Sequence, residues 1–221
     1  MPAVLFGSIS SVADTSELQH DAFNRAFEAH SLGWRWDQDD YQNMLETSGG
    51  KDRIDEYARS LGQTVDAQAV HDTKSKLFQD SLSTAPLSPR PGVVDTINAA
   101  KAEGWKVGLV TTTSRANIVA LLDALTPDVQ AADFDVIVDA DSVGRSKPEP
   151  DAYAFALNSL SQQPHECIAI EDNLGGVRAA RAAEVPCVAF PNTNTAGHDF
   201  GETRIVEYVD FDDLTSTAGS K

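Results

Sequence analysis

The clearest pattern in the chain is an alternation of short apolar runs with helical periodicities, which extends from about residue 93 to residue 190. Near-continuous apolar runs are typical of strands buried on both faces of a parallel sheet. Five such runs predict strands, over residues 3–6, 106–111, 135–138, 167–170 and 187–190. The segments between them predict helices over residues 93–103, 115–125, 151–160 and 175–183. This order predicts an α/β fold with a doubly wound parallel sheet.

A different pattern fills the stretch between the first predicted strand and residue 82. Leu18, Ala22, Phe23, Ala26 and Phe27 recur at helical spacing, and further helices are predicted over residues 37–48, 54–61 and 65–82. A turn-rich linker over residues 83–92 follows this helical block. The sequence therefore predicts an α/β core formed by residues 1–14 and 83–221, with an all-helical cap, residues 15–82, inserted after the first strand.

The charge of the chain narrows the classes of partner. Its 221 residues carry a formal net charge of −17. A nucleic-acid backbone or an anionic membrane requires basic patches on the protein, so we expect neither nucleic acid nor a membrane as partner. The acidic residues are scattered along the chain, which is typical of a highly soluble surface rather than of an acidic binding tract.

The cysteines and the amino-terminal segment indicate in which cellular compartment the protein is expected. Cys167 and Cys187 each lie in an apolar, strand-like run, so we expect buried free thiols rather than a disulfide. No apolar stretch approaches the roughly 18 residues that indicate a membrane span, and the chain does not open with a basic segment followed by an apolar one. A cytoplasmic location is therefore expected.

Polar residues gather where the predicted strands end, and open parallel sheets bind ligands at that edge. Thr111 and Thr112 precede a predicted helix, whose amino terminus favours a phosphate. Lys147 supplies a cation for the same anion. Glu171 and Asp172 form an acidic pair of the kind that holds Mg²⁺. Each segment alone is a weak signal, but their order and spacing together are more specific.

These segments resemble the motifs of the haloacid dehalogenase-like hydrolases, in particular the CbbY-like and β-phosphoglucomutase-like sugar-phosphate phosphatases. The second motif of that family is an apolar strand that ends in Thr or Ser, which Thr111 matches. The third is a Lys followed by Pro, as in Lys147-Pro148, and the fourth is an apolar strand that ends in Glu-Asp, as in Glu171-Asp172. The resemblance covers nearly the whole chain, including the helical cap.

The resemblance implies a ligand, a metal ion and a set of contacts. A small phosphorylated ligand, a sugar phosphate, would bind through its phosphate to Thr111, Thr112 and Lys147, and Mg²⁺ would bind to Glu171 and Asp172. The stretch 48–54 looks like the substrate loop of the CbbY branch, which implies cap contacts from the three residues Gly50, Lys51 and Arg53. The alternative for Lys51 and Arg53 is that they are ordinary exposed cations at the start of a helix, without contact to a substrate.

The first motif departs from the family pattern. Phe6 before it and Asp14-Thr15 after it set the alignment, in which the nucleophilic aspartate of the family falls on Gly7 and its acid/base aspartate falls on Ile9. The histidine often found in the first cap helix falls on Gln19. Gly7 cannot attack phosphorus, and Ile9 cannot move a proton. Because one carboxylate ligand is also lost, any binding of Mg²⁺ by Glu171 and Asp172 should be weak.

Three functions remain open on the sequence. The first is a catalytically impaired relative that keeps a phosphate-binding pocket. The second is an active Mg²⁺-dependent hydrolase that uses a non-family nucleophile, or a water molecule held by Asp172. The third is a fold retained for association, in which the aromatic residues near the carboxyl end would serve an interface. These are Phe190, Phe200, Tyr208 and Phe211, and we expect them to be core or strand residues instead.

Overall fold

A five-stranded parallel sheet forms the centre of the computed structural model, which describes residues 2–46 and 49–216. The strands are β1 (Ala3–Phe6), β2 (Lys106–Val110), β3 (Val136–Val138), β4 (Cys167–Glu171) and β5 (Cys187–Ala189). They lie in the order β3-β2-β1-β4-β5, and each neighbouring pair is parallel. The predicted α/β fold with a doubly wound parallel sheet is confirmed, and β1 is its central strand.

The helices follow the predicted order, with two additions. They are α1 (Ile9–Val12), α2 (Ser16–Ala29), α3 (Gln38–Met44), α4 (Gly50–Ser60), α5 (Ala67–Leu82), α6 (Val93–Ala102), α7 (Arg115–Leu125), α8 (Asp151–Leu160), α9 (Leu174–Ala182) and α10 (Phe211–Ser216). Helices α7 and α8 begin and end where the sequence pattern predicts. The pattern did not predict α1 or α10, and α4 begins at Gly50, before the predicted start at residue 54.

Alternate residues of β1 face opposite sides of the sheet. Val4 and Phe6 lie in one apolar cluster, together with residues of α5, α6, α7 and α10. Ala3 and Leu5 lie in a second cluster with residues of α8 and α9. Both faces of β1 are thus covered by helices, which explains why its sequence is an unbroken apolar run.

The segment from residue 15 to residue 82, called the helical insertion below, packs around its own aromatic cluster. The Trp36 ring is 4.6 Å from the ring of Phe27 and 5.0 Å from that of Phe23, centre to centre. At its far end, however, α5 places Phe78 and Leu82 in the cluster of the sheet. The insertion therefore has a separate core but is joined to the sheet through α5, and its status as a cap domain stays a prediction.

Two expectations about side chains are confirmed in part. Cys167 and Cys187 are free thiols as predicted, the first buried and the second only half-buried. Phe190, Phe200 and Phe211 are buried, as expected of core residues, whereas Tyr208 is exposed. No helix in the described ranges is long and apolar enough to cross a membrane.

Candidate functional site

A cleft of about 460 Å³ lies between the carboxyl ends of the strands and the helical insertion. Predicted site residues line it from both sides: Thr111, Thr112, Lys147, Asp172, Gly50, Lys51 and Arg53. Glu171 is the exception, because its side chain lies beneath the cleft wall. Ser48, which opens the predicted substrate loop, lies outside the described residues. The fold thus brings together nearly all the residues that the motifs indicate.

The tip of β1 enters this cleft without a carboxylate. The amide N–H of Gly7 donates to the carbonyl oxygen of Ile170 at 2.8 Å, so pairing with β4 extends past the last residue of β1. Ile9 is only 4% exposed and packs in the apolar cluster that contains Phe6. Neither Gly7 nor Ile9 presents a group that could attack phosphorus or transfer a proton.

Ser8 connects the tip to the end of β4. Its hydroxyl accepts a hydrogen bond from the amide of Ser11 at 2.9 Å, which caps helix α1, and it donates to Asp172 Oδ1 at 2.7 Å. The Ser8 oxygen is therefore held between a donor and a carboxylate. A hydroxyl beside a carboxylate is the one arrangement at this tip that resembles a nucleophile paired with a base.

Lys147 borders the cleft, but its ammonium is bonded to groups inside the protein. It is 6% exposed, and its ammonium donates to Val110 O at 2.7 Å, to Glu171 Oε1 at 2.5 Å and to the carbonyl oxygen of Gly7. A lysine has three N–H donors, and these three bonds use all of them. Phosphate binding by Lys147 stays a prediction, and it would require one of these bonds to break.

Glu171 is fully buried, with 0% of its surface exposed. Besides Lys147, the Tyr153 hydroxyl donates to its Oε1 at 2.7 Å. Burial raises the pKa of Glu171, although Lys147 beside it acts in the opposite direction. The predicted metal ligand is thus engaged in a buried ion pair.

Hydroxyl groups form the wall of the cleft next to β2. Thr111 is buried and accepts a hydrogen bond from the amide of Thr113 at 3.1 Å. The Ser114 hydroxyl then caps α7 by accepting from the amide of Asn117 at 3.3 Å. The amino terminus of this 11-residue helix carries a partial positive charge, so the turn 111–114 is suited to an oxyanion such as phosphate.

Helix α4 supplies the opposite wall. Arg53 is 8% exposed, and its Nε donates to the carbonyl oxygen of Met44 at 3.1 Å while its guanidinium lies 5.7 Å from the centre of the Phe23 ring. Lys51, in contrast, has an exposed side chain 3.9 Å from Asp52. The two cations therefore differ: Arg53 is built into the insertion, whereas Lys51 has the exposure that is usual at a helix start.

A third cation of this wall, Lys74, lies outside the motifs and was not predicted from the sequence. It is 4% exposed and lines the cleft, its Nζ donates to Gln19 Oε1 at 3.0 Å, and it lies 4.8 Å from the Phe23 ring and 5.0 Å from the Phe78 ring. Burial, and to a smaller extent the charge of Arg53, lower its pKa to about 7. The sequence holds one indication of this burial: Lys74 lies one helical turn from Phe78, so it falls on the buried face of α5.

Two histidines of the insertion have different surroundings. His20 Nε2 is 2.9 Å from the carbonyl oxygen of Trp36, and its ring stacks on Tyr41, so it belongs to the packing of the insertion. His71 lines the cleft, where burial lowers its pKa to about 4. His71 is therefore neutral near pH 7 and adds no positive charge to this wall.

The donor set at the end of β4 does not fit Mg²⁺ well. Asp172 Oδ1 accepts from Ser8 and, at 2.8 Å, from Asn173, and its Oδ2 accepts from Asn192 at 2.7 Å. Mg²⁺ needs several oxygen ligands, yet position 7 has no carboxylate and Glu171 is paired with Lys147. Within residues 2–46 and 49–216 no group of three or more His, Cys, Asp or Glu side chains could hold a metal ion. Weak Mg²⁺ binding by Glu171 and Asp172 stays a prediction.

Comparison with known proteins establishes the family. The family model for haloacid dehalogenase-like hydrolases matches residues 7–184. The chain belongs to the haloacid dehalogenase-like hydrolases. Protein CbbY of Rhodobacter capsulatus is 36% identical to it over 203 residues, which cover 90% of this chain and 89% of that protein. Hydrolases of this family typically use Mg²⁺, and the motif residues Thr111, Lys147 and Asp172 occupy the expected edge of the sheet.

Solved structures place the chain in the CbbY-like branch. CbbY from Rhodobacter sphaeroides, in complex with phosphate, superposes with a TM-score of 0.86 at 34% identity, over 94% of this chain and 95% of that one. A variant of the same CbbY, with the same TM-score, identity and coverage, has been solved in complex with xylulose-(1,5)-bisphosphate. A β-phosphoglucomutase from Clostridium difficile, with a TM-score of 0.80 at 19% identity over 99% of this chain and 97% of that one, shares the fold.

Proposed function

We propose that this CbbY-like protein binds a phosphorylated sugar in the cleft and is strongly impaired in hydrolysing it. One observation carries the proposal: the tip of β1 enters the cleft with Gly7 and Ile9 in place of the two aspartates of the family. Loss of a covalent nucleophile costs roughly 10⁴–10⁶ in rate in enzymes that depend on one. With the acid/base group absent as well, the family mechanism has neither of its reacting side chains.

The donors that line the cleft support a ligand with two anionic ends. Hydroxyls of Thr111 and Thr112 lie beside the amino terminus of α7, while Arg53 and Lys74 extend from the helical insertion on the other side. A cleft of about 460 Å³ is within the size range of small-molecule sites. Because the CbbY relative has been solved with xylulose-(1,5)-bisphosphate, a sugar bisphosphate of that size is the ligand class we propose.

A second candidate function rests on the hydrogen bond between Ser8 and Asp172. At 2.7 Å, Asp172 could take the proton of the Ser8 hydroxyl while that oxygen attacks phosphorus, and pass it to the departing sugar oxygen. A water molecule would then cleave the phosphoserine to release phosphate and restore Ser8. The Ser8 oxygen also accepts the cap bond from Ser11, which reduces its capacity to attack. We therefore rank hydrolysis through Ser8 below ligand binding without turnover.

Titration calorimetry with xylulose-(1,5)-bisphosphate tests the proposed function. Lys74→Met should weaken binding by about 10- to 100-fold, because it removes a desolvated charge-assisted contact. Lys76→Met is the matched control, since Lys76 is exposed on the same helix, and it should leave the affinity unchanged within about twofold. Equal effects of the two substitutions, or no binding by the wild type, would contradict the proposal.

A further inference from the structure

The ammonium of Lys147 is fully committed inside the protein. Its three donors reach the carbonyl oxygens of Gly7 and Val110 and the carboxylate of Glu171. Those partners come from the ends of three adjacent strands, β1, β2 and β4. Lys147 thus stabilises the central part of the sheet, where the three strands meet below the cleft.

The carboxylate of Glu171 is the only anionic partner that the described structure records for Lys147. Its Oε1 accepts from Lys147 and Tyr153, while its Oε2 is buried without a hydrogen-bond partner among the described residues. A charge so enclosed costs several kcal/mol to desolvate and persists only when it is well paired. The ion pair with Lys147 is what holds Glu171 in this position.

The position of Glu171 depends on the glycine at residue 7. A Cβ atom added to Gly7 would overlap the Glu171 carboxylate and lie 2.5 Å from the Tyr153 hydroxyl oxygen. A Cβ atom added to Gly176, at the start of α9, would overlap the same carboxylate. Glu171 therefore fills a space that exists only because two glycines border it, and one of them is the glycine that replaces the family nucleophile.

We propose that Glu171 is a resident anion, which takes the place of the missing carboxylate at residue 7 and keeps Lys147 away from the ligand. The proposal rests on the proposed function, because it names the groups that the phosphate of a ligand meets in the same cleft. On the core side these are the hydroxyls and amides of the turn 111–114, while the ammonium of Lys147, at the edge of the cleft, stays paired with Glu171.

This arrangement has a consequence for restoring activity. A Gly7→Asp substitution places its side chain where Glu171 now lies, so the carboxylate of Glu171 must leave its ion pair before the new aspartate can face the cleft. We therefore expect Gly7→Asp with Ile9→Asp to lose stability as well as to gain two carboxylates.

A thermodynamic cycle without any ligand tests the mutual exclusion. Gly7→Ala and Glu171→Ala should each lower the urea midpoint of unfolding. The double variant should lose clearly less than the sum of the two shifts, because the added methyl group then no longer overlaps a carboxylate and keeps only its close approach to the Tyr153 hydroxyl. Gly144→Ala is the control, since a Cβ atom there meets nothing within 4 Å, and its shift should add to that of Glu171→Ala. Additive shifts for Gly7→Ala and Glu171→Ala would overturn the proposal.

Binding of inorganic phosphate supplies the second test. Glu171→Gln keeps the size of the side chain but removes its charge, so Lys147 should become available and phosphate affinity should rise by about tenfold. The gain should disappear in Glu171→Gln with Lys147→Met. An unchanged or weaker affinity in Glu171→Gln would contradict the proposal. If the wild type failed to bind phosphate, that result would count against the proposed function alone. The role of Glu171 would still be decided by the unfolding cycle, which needs no ligand.

Discussion

Lys74 shows how a single side chain can serve both stability and binding. Its ammonium is buried against two aromatic faces and donates to Gln19, and burial holds its pKa at about 7 instead of 10.5. The aromatic faces favour the charged form, but they do not offset the loss of water. A phosphate that enters the cleft should raise this pKa, since it supplies the missing counter-charge.

The lowered pKa of Lys74 predicts a pH dependence of stability. Between pH 7 and 10.5 the unfolded chain binds the proton that the folded chain has lost, so this group makes stability increase with pH in that window. Below pH 7 both states hold the proton and the penalty is complete. Urea unfolding at about pH 7 and pH 9 should show a gain of roughly 1–3 kcal/mol in the wild type relative to Lys74→Met. Parallel pH profiles of the two proteins would contradict this assignment.

For individual residues, the motifs predict which side chains occupy the site better than they predict what those side chains do. The substitutions at Gly7 and Ile9 were visible in the sequence, and so was the proximity of Thr111 to Lys147. The inward direction of Lys147 was not, because it depends on a space that Gly7 and Gly176 create together with a carboxylate from a third segment. Such a space is defined only once the strands are assembled.

At the level of the elements, Arg90 joins helix α1 and the segment after β5 to the linker that carries it. Its guanidinium donates to the carbonyl oxygens of Ser10 in α1, Phe190 and Pro191, the last two at 2.7 and 2.5 Å, and lies 3.4 Å from the centre of the Phe190 ring. The planar guanidinium can satisfy three carbonyls and stack on a ring at the same time. Arg90 thereby fixes α1 and the segment after β5 relative to the linker.

Arg90→Lys should therefore destabilise the protein. An ammonium can replace one or two of these bonds but cannot reproduce the fork or the stacking, so the free energy of unfolding should fall by roughly 1–3 kcal/mol. Arg178→Lys, at an exposed position of α9, serves as the control and should change it by less than about 0.5 kcal/mol. Equal stability of the two variants in urea unfolding would show that Arg90 does not hold these segments.

The length of an element decided how well the sequence predicted it. Helices α7 and α8 have 11 and 10 residues, enough for the apolar repeat to define both ends. Helix α1 has four residues, too few for a period, and forms because Ser8 and Ser11 cap each other's backbone amides at the end of β1. Helix α10 has six residues and depends on the packing of Phe211 and Leu214 in the core.

Across the whole molecule, the excess of acidic groups opposes folding. Aspartate and glutamate number 34 against 17 lysines and arginines, so one-to-one pairing leaves at least half of the acidic groups unpaired, and these repel one another. Exposed ion pairs, such as that of Arg145 with Asp151, contribute only about 0–1 kcal/mol each. The repulsion should therefore outweigh these pairs in the response of the protein to salt.

Salt should consequently stabilise the protein. Raising sodium chloride from about 0.05 M to about 0.5 M shortens the screening length from more than 10 Å to about 4 Å, and the thermal midpoint should rise by several degrees. Potassium chloride should have the same effect at equal ionic strength, since screening does not depend on which monovalent cation is used. A midpoint that stays constant or falls would show that paired charges dominate the surface.

We propose, above all, that this member of the family binds its ligand without the family's chemistry. The most direct measurement is release of phosphate from xylulose-(1,5)-bisphosphate by the purified wild type with Mg²⁺, beside Asp172→Ala and Ser8→Ala. We expect the wild type to release no more phosphate than either variant, at a ligand concentration that saturates the cleft. Phosphate release by the wild type that is abolished in Asp172→Ala would contradict this proposal. If Ser8→Ala also abolished the release, the serine would be identified as the nucleophile.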